Sequence, residues 1–224
     1  MIPLRDVIPS RTTPYLTITI IVLNGLAWFF ELALPRDVLP VFLQVYGVVP
    51  ADFRAVTLIS SMFLHGSWSH VIGNMWYLWI FGDNVEDRMG HGRFLVFYLL
   101  CGIVAALGQV AIDPESTLPT IGASGAIAGV MGAYFVLYPH SRVLTLIPLI
   151  FIFTRIVELP AIVLLGFWFL MQLYNAGTVA VTAGTHGGGG VAFMAHVAGF
   201  LAGVVGVFAF RKRELDSWWA NTEM

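Results

Sequence analysis

The fold is decided by the sequence Gly-Ala-Ser-Gly at residues 122–125, which opens an apolar run continuing to Tyr138. A second apolar run contains His196, within Ala-His-Val-Ala-Gly-Phe at residues 195–200. Ser124 has a hydroxyl that can act as a nucleophile, and His196 has an imidazole that can activate it as a base. A nucleophile and a base inside apolar segments suggest covalent hydrolysis within a lipid bilayer.

The composition of the whole chain supports a membrane protein. Of the 224 residues, 58% are hydrophobic and only 11% are charged, and the mean hydropathy is +0.84. Soluble domains have about 45–50% apolar and about 25% charged residues. So few charges cannot cover a water-facing surface, so we expect one membrane domain rather than a soluble globular protein.

Six membrane spans are predicted, because a helix needs about 20 apolar residues to cross the hydrocarbon core. The first run is too long for the apolar core of a signal peptide and is expected to remain as a helix. Residues 143–153 are also apolar, but their short length and Pro148 favour an interfacial or half-buried segment. The six predicted spans are residues 15–34, 67–81, 94–112, 124–138, 160–173 and 191–210.

The basic residues predict the orientation of these spans. With a cytoplasmic N-terminus and six spans, nine of the eleven basic residues lie inside and only Arg36 and Arg54 lie outside, as the positive-inside rule requires. A seventh span would leave the basic C-terminal tail outside. We therefore expect a multi-pass protein with a cytoplasmic segment at 1–14, a membrane domain at 15–211 and a cytoplasmic tail at 212–224.

Polar residues gather at one end of three predicted spans. The second, fourth and sixth spans all run from outside to inside, so their N-terminal ends share one face of the membrane. Such groups are tolerated in a bilayer only where they face the bundle interior, a partner or water. The five polar residues at this end are His65, His70, Asn74, Ser124 and His196.

The fourth span is predicted to be short and recessed. Residues 124–138 would extend about 22 Å against about 30 Å of hydrocarbon. The irregular backbone at 114–122 must then descend into the protein, which is allowed only where it lines a cavity or is covered by neighbours. A cavity open to the outside would supply the water that hydrolysis consumes.

Glycines on the fourth and sixth spans predict close packing of these two helices. Gly125 and Gly129 lie four residues apart on one span, and Gly199 and Gly203 have the same spacing on the other. Small residues at this spacing allow helix backbones to approach closely. This packing would bring the Ser124 hydroxyl within hydrogen-bonding reach of the histidine ring.

His70 and Asn74 are candidates for stabilising an oxyanion. They are four residues apart and share a helix face. Attack on a peptide carbonyl develops negative charge on its oxygen, which requires donors about 3 Å away. The Asn74 amide, the His70 ring and a backbone N–H near Ser124 could supply these donors.

Taken together, these motifs resemble the rhomboid family of intramembrane serine proteases. The resemblance also includes His-Gly-Ser-Trp-Ser-His at 65–70, Gly82 and Val-Glu-Asp-Arg-Met-Gly at 85–90. It implies an all-α membrane protein with a six-transmembrane-helix bundle, in which Ser124 and His196 form a catalytic dyad and Asn74 and His70 surround the oxyanion. It further implies cleavage of membrane-anchored proteins at or near a transmembrane segment. Residues 1–6 look like the start of short prokaryotic members, which implies the prokaryotic inner membrane.

Two positions depart from the family pattern. In some members an aromatic residue four positions after the nucleophile packs against the catalytic histidine, but this chain has Ala128 there. A tryptophan-arginine pair in the first outside loop corresponds to Phe53-Arg54, with an expected role in anchoring that loop. Four other residues are expected to support the fold rather than take part in catalysis: His65, Glu86, Asp87 and Arg88. Residues 167–169 are expected to pack or face lipid, with a lateral substrate gate as the less favoured alternative. The glycines at 187–190 are expected to form a flexible linker, although this loop before the sixth span could also cap the pocket.

The sequence is also compatible with three alternative functions. A catalytically weak rhomboid-like protein could bind transmembrane clients, histidines from several spans could ligate haem or a metal, and polar groups at a shared depth could line a transport path. We favour the protease, with transmembrane proteins and the lipid bilayer as partners. No cofactor, metal or nucleic acid is expected.

Overall fold

The computed structural model describes residues 1–150, 153–182 and 191–212, which form a predominantly helical membrane domain. The predicted linker at 187–190 and the end of the predicted tail lie outside the described residues. The described helices are α1 (Tyr15–Ala33), α2 (Val38–Tyr46), α3 (Thr57–Ser60), α4 (Trp68–Met89), α5 (His91–Ile112), α6 (Ser124–Leu137), α7 (Ala161–Thr182) and α8 (Phe193–Phe210).

The helices agree with the predicted membrane spans. Four helices are long and apolar enough to cross a membrane: α1, α5, α7 over Ala161–Thr178, and α8. The apolar helix α6 is shorter, with 14 residues, and α4 has 22 residues with its charged residues near its C-terminal end. These six helices are compatible with the predicted count. The largest difference is α7, which continues nine residues beyond the predicted end at 173.

Local sequence signals account for several helix ends. The Ser67 hydroxyl caps α4 by accepting a hydrogen bond from the backbone N–H of His70 at 3.2 Å. Side-chain caps of this kind satisfy N–H groups that have no partner within the helix. Gly90 separates α4 from α5 with φ of 81°, a conformation that favours glycine. Pro139 follows α6, and Pro160 precedes α7.

Helix α6 forms the centre of the bundle. Every residue from 125 to 134 is buried, and the most extensive contact of α6 is with α8. A Cβ added at Gly203 would overlap the backbone of Gly129, and one added at Gly199 would overlap the Gly125 carbonyl oxygen. The two backbones are therefore in direct contact, as the glycine spacing predicts. Cys101 is buried and also packs against Gly129.

A three-stranded antiparallel sheet is the main feature that the sequence did not predict. Its strands are β1 (Ile2–Asp6), β2 (Arg142–Ile150) and β3 (Phe153–Pro160), in the order β1-β2-β3. The segment at 143–153, expected to be interfacial or half-buried, is thus largely strand. Val143 and Thr145 are fully buried, and the Trp76 indole donates to the Pro3 carbonyl at 2.7 Å. The sheet adds to the predicted helical bundle and attaches the N-terminal segment to it.

The outer surface of the bundle carries large apolar side chains. Examples are Leu26 and Phe29 on α1, Trp79 on α4, Leu170 on α7 and Val205 on α8, all well exposed. Large contiguous apolar patches are rare on soluble monomers. In a chain of this composition, such a surface faces lipid.

Glu86 and Asp87 connect α4 to the start of α1 and to the N-terminal segment before it. Glu86 is fully buried, and its carboxylate accepts hydrogen bonds from the backbone N–H of Leu16 at 3.0 Å and of Thr17 at 2.8 Å. The Thr17 hydroxyl donates to it at 2.7 Å. Asp87 accepts from the backbone N–H of Arg11 at 2.6 Å. These contacts are those expected of residues that support the fold.

Candidate active site

Ser124 and His196 meet at the end of the central helix pair where α6 and α8 begin. The Nε2 atom of His196 lies 2.8 Å from the Ser124 hydroxyl oxygen. Ser124 is the first residue of α6, and His196 lies in the first turn of α8. Because the α6 and α8 backbones touch along their glycines, two residues 72 positions apart come within hydrogen-bonding distance.

The His196 ring is held by contacts from α7. The second ring nitrogen, Nδ1, lies 2.9 Å from the Oε1 atom of Gln172, and both side chains are buried. The ring of Trp168 lies 5.8 Å from the imidazole at an interplanar angle of 36°. Ala128, at the position where some rhomboid proteins carry an aromatic residue, is fully buried. Contacts from α7 therefore hold the His196 ring, a role that the small side chain of Ala128 does not fill.

Asn74 is held by His65. The side-chain amide of Asn74 donates to Nε2 of His65 at 3.0 Å, and both residues are buried. Burial lowers the pKa of His65 to about 4, and the nearby His70 adds to this effect. The His65 ring is therefore neutral near pH 7, so Nε2 can accept. Glu31 of α1 holds the same segment, because its carboxylate accepts from the His65 backbone N–H at 3.2 Å.

His70 and Asn74 both lie close to Gly122, two residues before Ser124 in the chain. The His70 Nδ1 atom accepts from the Gly66 backbone N–H at 3.4 Å, so Nε2 carries the proton in the neutral ring. A Cβ added at Gly122 would lie 2.6 Å from this Nε2 atom and 3.6 Å from the Asn74 Nδ2 atom. The φ of 118° at Gly122 also favours glycine. A side chain at position 122 would therefore overlap the His70 ring, so glycine allows two side-chain donors to lie close to this backbone.

The segment before α6 is tied to the loop between α1 and α4. Val48 and Thr120 pair through two backbone hydrogen bonds, and the Gly122 N–H donates to the Ser61 carbonyl at 2.8 Å. In the same loop the Arg54 guanidinium donates to the Gln44 carbonyl at 3.1 Å. This contact agrees with the expected anchoring role of Arg54. The loop thereby fixes the chain that leads into Ser124.

The predicted site residues all lie at this end of the bundle, and two further residues that were not predicted contribute to it. Gln172 and Glu31 are polar residues inside predicted apolar spans and are buried. An amide or a carboxylate within such a span is itself a signal, because buried polar groups need partners. Among the described residues, no group of three or more His, Cys, Asp or Glu side chains is placed to hold a metal ion.

Comparisons with known proteins identify the family. The Rhomboid domain family matches residues 52–213. Rhomboid protein 1, mitochondrial, of Saccharomyces cerevisiae is 32% identical over 109 residues, which are 46% of this chain and 32% of that protein. Rhomboid-like protein 11, chloroplastic, of Arabidopsis thaliana is 28% identical over 202 residues, which are 84% of this chain and 66% of that protein. Rhomboid protease GluP of Bacillus subtilis is 40% identical over 76 residues, 34% of this chain and 14% of that protein.

The family match covers most of the chain, including the second part of the loop between α1 and α4, both glycine-packed helices and the residues around Ser124. The chain spans less than two thirds of the length of each of these three relatives. The predicted resemblance is confirmed: this chain belongs to the rhomboid family of membrane-embedded proteins, which includes intramembrane serine proteases.

Proposed function

We propose that this protein is an intramembrane serine endopeptidase that cleaves membrane-anchored proteins at or near a transmembrane segment. The observation that carries the proposal is the distance of 2.8 Å between the Ser124 hydroxyl and Nε2 of His196. A hydroxyl within reach of an imidazole, which is itself oriented by a third group, is the arrangement of an activated nucleophile.

The proposed reaction has two stages. Ser124 Oγ attacks the scissile carbonyl carbon while its proton passes to Nε2 of His196. The resulting imidazolium returns this proton to the leaving amine, and the peptide C–N bond breaks to leave an acyl-enzyme ester. Water then attacks the ester and gives a proton to Nε2. The second tetrahedral intermediate collapses, releasing the carboxylic acid product, and Ser124 recovers its proton.

The proposed position for the oxyanion of both tetrahedral intermediates is close to Gly122. The Nε2 atom of His70 and the Nδ2 atom of Asn74 both lie near this residue and are the proposed side-chain donors. Ser124 is the first residue of α6, and the first N–H groups of a helix have no acceptor within the helix. Its backbone N–H would be a third donor, favoured by the positive end of the helix dipole.

The apolar outer surface supports a substrate that arrives from the membrane. The two proposed catalytic residues are covered by helices whose outer faces are apolar, and Leu170 and Tyr174 of α7 are 61% and 67% exposed on the side toward lipid. A transmembrane segment can contact such a surface without losing its lipid-like environment. Transmembrane proteins are therefore the proposed substrates.

The proposed location is a prokaryotic inner membrane with both termini in the cytoplasm. Arg11, Arg88 and Lys212 line one cavity at the end of the bundle where α4 and α6 terminate, and the Lys212 N–H donates to the Arg88 carbonyl at 2.8 Å. This end gathers basic residues, as a cytoplasmic face does. Reporter fusions to each terminus in a bacterial host test this orientation, and an active periplasmic reporter would contradict it.

Labelling by a fluorophosphonate tests the proposed function, because this probe forms a covalent bond with an activated serine. The purified protein in detergent is compared with Ser124→Ala and His196→Ala. Ser69→Ala is the matched control, since Ser69 is an exposed serine at the same end of the bundle whose hydroxyl lies 3.1 Å from that of Ser67. We expect labelling of the wild type and of the Ser69 variant, and none of the other two.

Cleavage of a transmembrane peptide in liposomes completes the test and should require the same two residues. A folded wild-type protein that is not labelled would contradict the protease and favour the binding of transmembrane clients. Full labelling or full cleavage by Ser124→Ala would show that another residue is the nucleophile.

A further inference from the structure

Gln172 is a buried amide in the middle of an apolar helix. It lies on α7 and is 9% exposed, next to the exposed apolar residues Met171 and Leu173. Burying an amide without a hydrogen bond costs on the order of 1–3 kcal/mol in proteins. Its Oε1 atom is paired with Nδ1 of His196 at 2.9 Å, so the contact that satisfies Gln172 is with the proposed base.

This contact determines where the imidazole proton lies. A carboxamide oxygen accepts hydrogen bonds and cannot donate them. The Nδ1 atom of His196 must therefore carry the proton, which leaves Nε2 without one in the neutral ring. Nε2 is the atom that faces the Ser124 hydroxyl at 2.8 Å, so the ring is in the tautomer that can receive the serine proton.

We propose that Gln172 is a positioning residue of the active site, whose Oε1 atom holds His196 in the orientation and tautomer needed to activate Ser124. This inference rests on the proposed function. Gln172 does not touch the reacting atoms and acts only through the histidine. The site then consists of three residues in a chain, with a neutral amide as the third member.

Trp168 supports the same role for α7. It lies four residues before Gln172, so the two side chains share one face of the helix. Its ring lies 5.8 Å from that of His196 and 6.1 Å from that of Phe200. Phe169 stacks on Phe200 at 4.8 Å, which holds α7 against α8. One helix thus contacts the imidazole with both an aromatic ring and a hydrogen-bond acceptor, where Ala128 of α6 offers neither.

Two substitutions separate the acceptor from the volume of the side chain. Gln172→Met keeps the length but removes the acceptor, and Gln172→Glu keeps both. Gln109→Met is the matched control, because the Oε1 atom of Gln109 on α5 is buried and has no hydrogen-bond partner among the described residues. The readouts are the rate of fluorophosphonate labelling from pH 5 to 9, kcat and KM on a transmembrane peptide, and the Tm in detergent.

We expect Gln172→Met to lower the labelling rate and kcat by on the order of 100-fold, because a small misplacement of a catalytic group has an effect of this size. KM and Tm should change little. Gln172→Glu should remain within a few fold of the wild type at its optimal pH. Its labelling should require higher pH, because a carboxylate stabilises the charged imidazolium. The Gln109 variant should behave as the wild type.

The proposal is wrong if Gln172→Met is labelled at the wild-type rate, or if the Met and Glu variants lose activity equally. Nitrogen NMR of the ring gives a test that needs no turnover, with His196→Asn used to assign the signal. We expect the wild-type spectrum to show a protonated Nδ1 and the Gln172→Met spectrum to show a mixture of tautomers. A wild-type protein that is not labelled but has this tautomer would contradict the proposed function alone, whereas a wild-type ring protonated at Nε2 would overturn the role of Gln172.

Discussion

Gly203 of α8 lies directly against the backbone of Gly129 of α6, with no room for a side chain between them. This contact lies one to two turns from Ser124 and His196 on the same two helices. Because the hydrogen bond between the two site residues spans the same interface, its length depends on how closely these backbones approach.

Gly203→Ala should therefore impair both stability and activity. The added methyl group must push α8 away from α6, and overpacking of this kind costs about 1–3 kcal/mol. A small displacement of catalytic groups can lower turnover by on the order of 100-fold. Thermal unfolding and fluorophosphonate labelling in detergent measure the two effects.

Gly25→Ala is the control for Gly203→Ala, because an added Cβ at Gly25 meets nothing within 4 Å. In a helix interior this change is expected to stabilise by about 0.5–1 kcal/mol. Unchanged stability and labelling in Gly203→Ala would show that the helix pair can separate without affecting the site.

Asn74→Ala should lower turnover rather than substrate binding. If the Asn74 amide donates to the oxyanion, its loss removes an interaction made mainly in the transition state and reduces kcat by about 10²–10³. His65→Ala should have a smaller effect in the same direction, because His65 holds the Asn74 amide at 3.0 Å. Steady-state kinetics on a transmembrane peptide separate kcat from KM. A higher KM with normal kcat would remove the oxyanion role.

Glu86→Ala should destabilise the fold strongly. The substitution leaves the N–H groups of Leu16 and Thr17 without their acceptor in a buried position. Hydrogen bonds to charged groups contribute about 1.5–3 kcal/mol each, so the total loss should be several kcal/mol. Glu115→Ala is the control because Glu115 is exposed. Unfolding curves of equal midpoint for both variants would contradict the structural role of Glu86.

The ionisation of Asp6 should make stability depend on pH. Burial raises the pKa of Asp6 from 3.8 to about 6, although the Tyr134 hydroxyl donates to its carboxylate at 2.7 Å and opposes this effect. The folded protein therefore binds this proton more tightly than the unfolded chain. Its contribution to stability is complete below pH 3.8 and is lost as the pH rises through 6.

Asp6→Asn tests this pH dependence, because asparagine keeps an acceptor for Tyr134 but does not ionise. The Tm of the variant minus that of the wild type should increase between about pH 4 and pH 7 and stay constant above. Other titrating groups are shared by both proteins and cancel in the difference. A difference that does not vary with pH would contradict the assignment to Asp6.

The sequence predicted six spans, and a described helix lies at the approximate position of each, because length and apolarity are local properties of a segment. It also predicted that α6 and α8 would pack closely, since glycines at a spacing of four form a small surface on any helix. The end of the bundle at which the polar residues gather followed from their places near the starts of three spans. Their roles in catalysis remain proposals that the labelling experiment tests.

The three-stranded sheet was not predicted, because β1 pairs with a strand that is far from it in the sequence. Ile2 lies opposite Leu146, and Asp6 lies opposite Val143. The apolar pattern at 143–153 fits an interfacial segment as well as a strand, and only the pairing with β1 and β3 distinguishes them. The last nine residues of α7 were not predicted for a different reason. Asn175 and Thr178 lower the apolarity of this segment, although it is helical.

By itself, then, the sequence determined the fold class, the family and the residues that gather at one end of the bundle. All of these follow from composition, segment length and short motifs. The partners of His196 were decided only by the tertiary structure. Whether Gln172 faces lipid or the imidazole depends on the rotation of α7 and on its depth against α8. Packing among Trp168, Phe169 and Phe200 sets both of these. Because this packing joins residues of two helices, no local sequence pattern contains it.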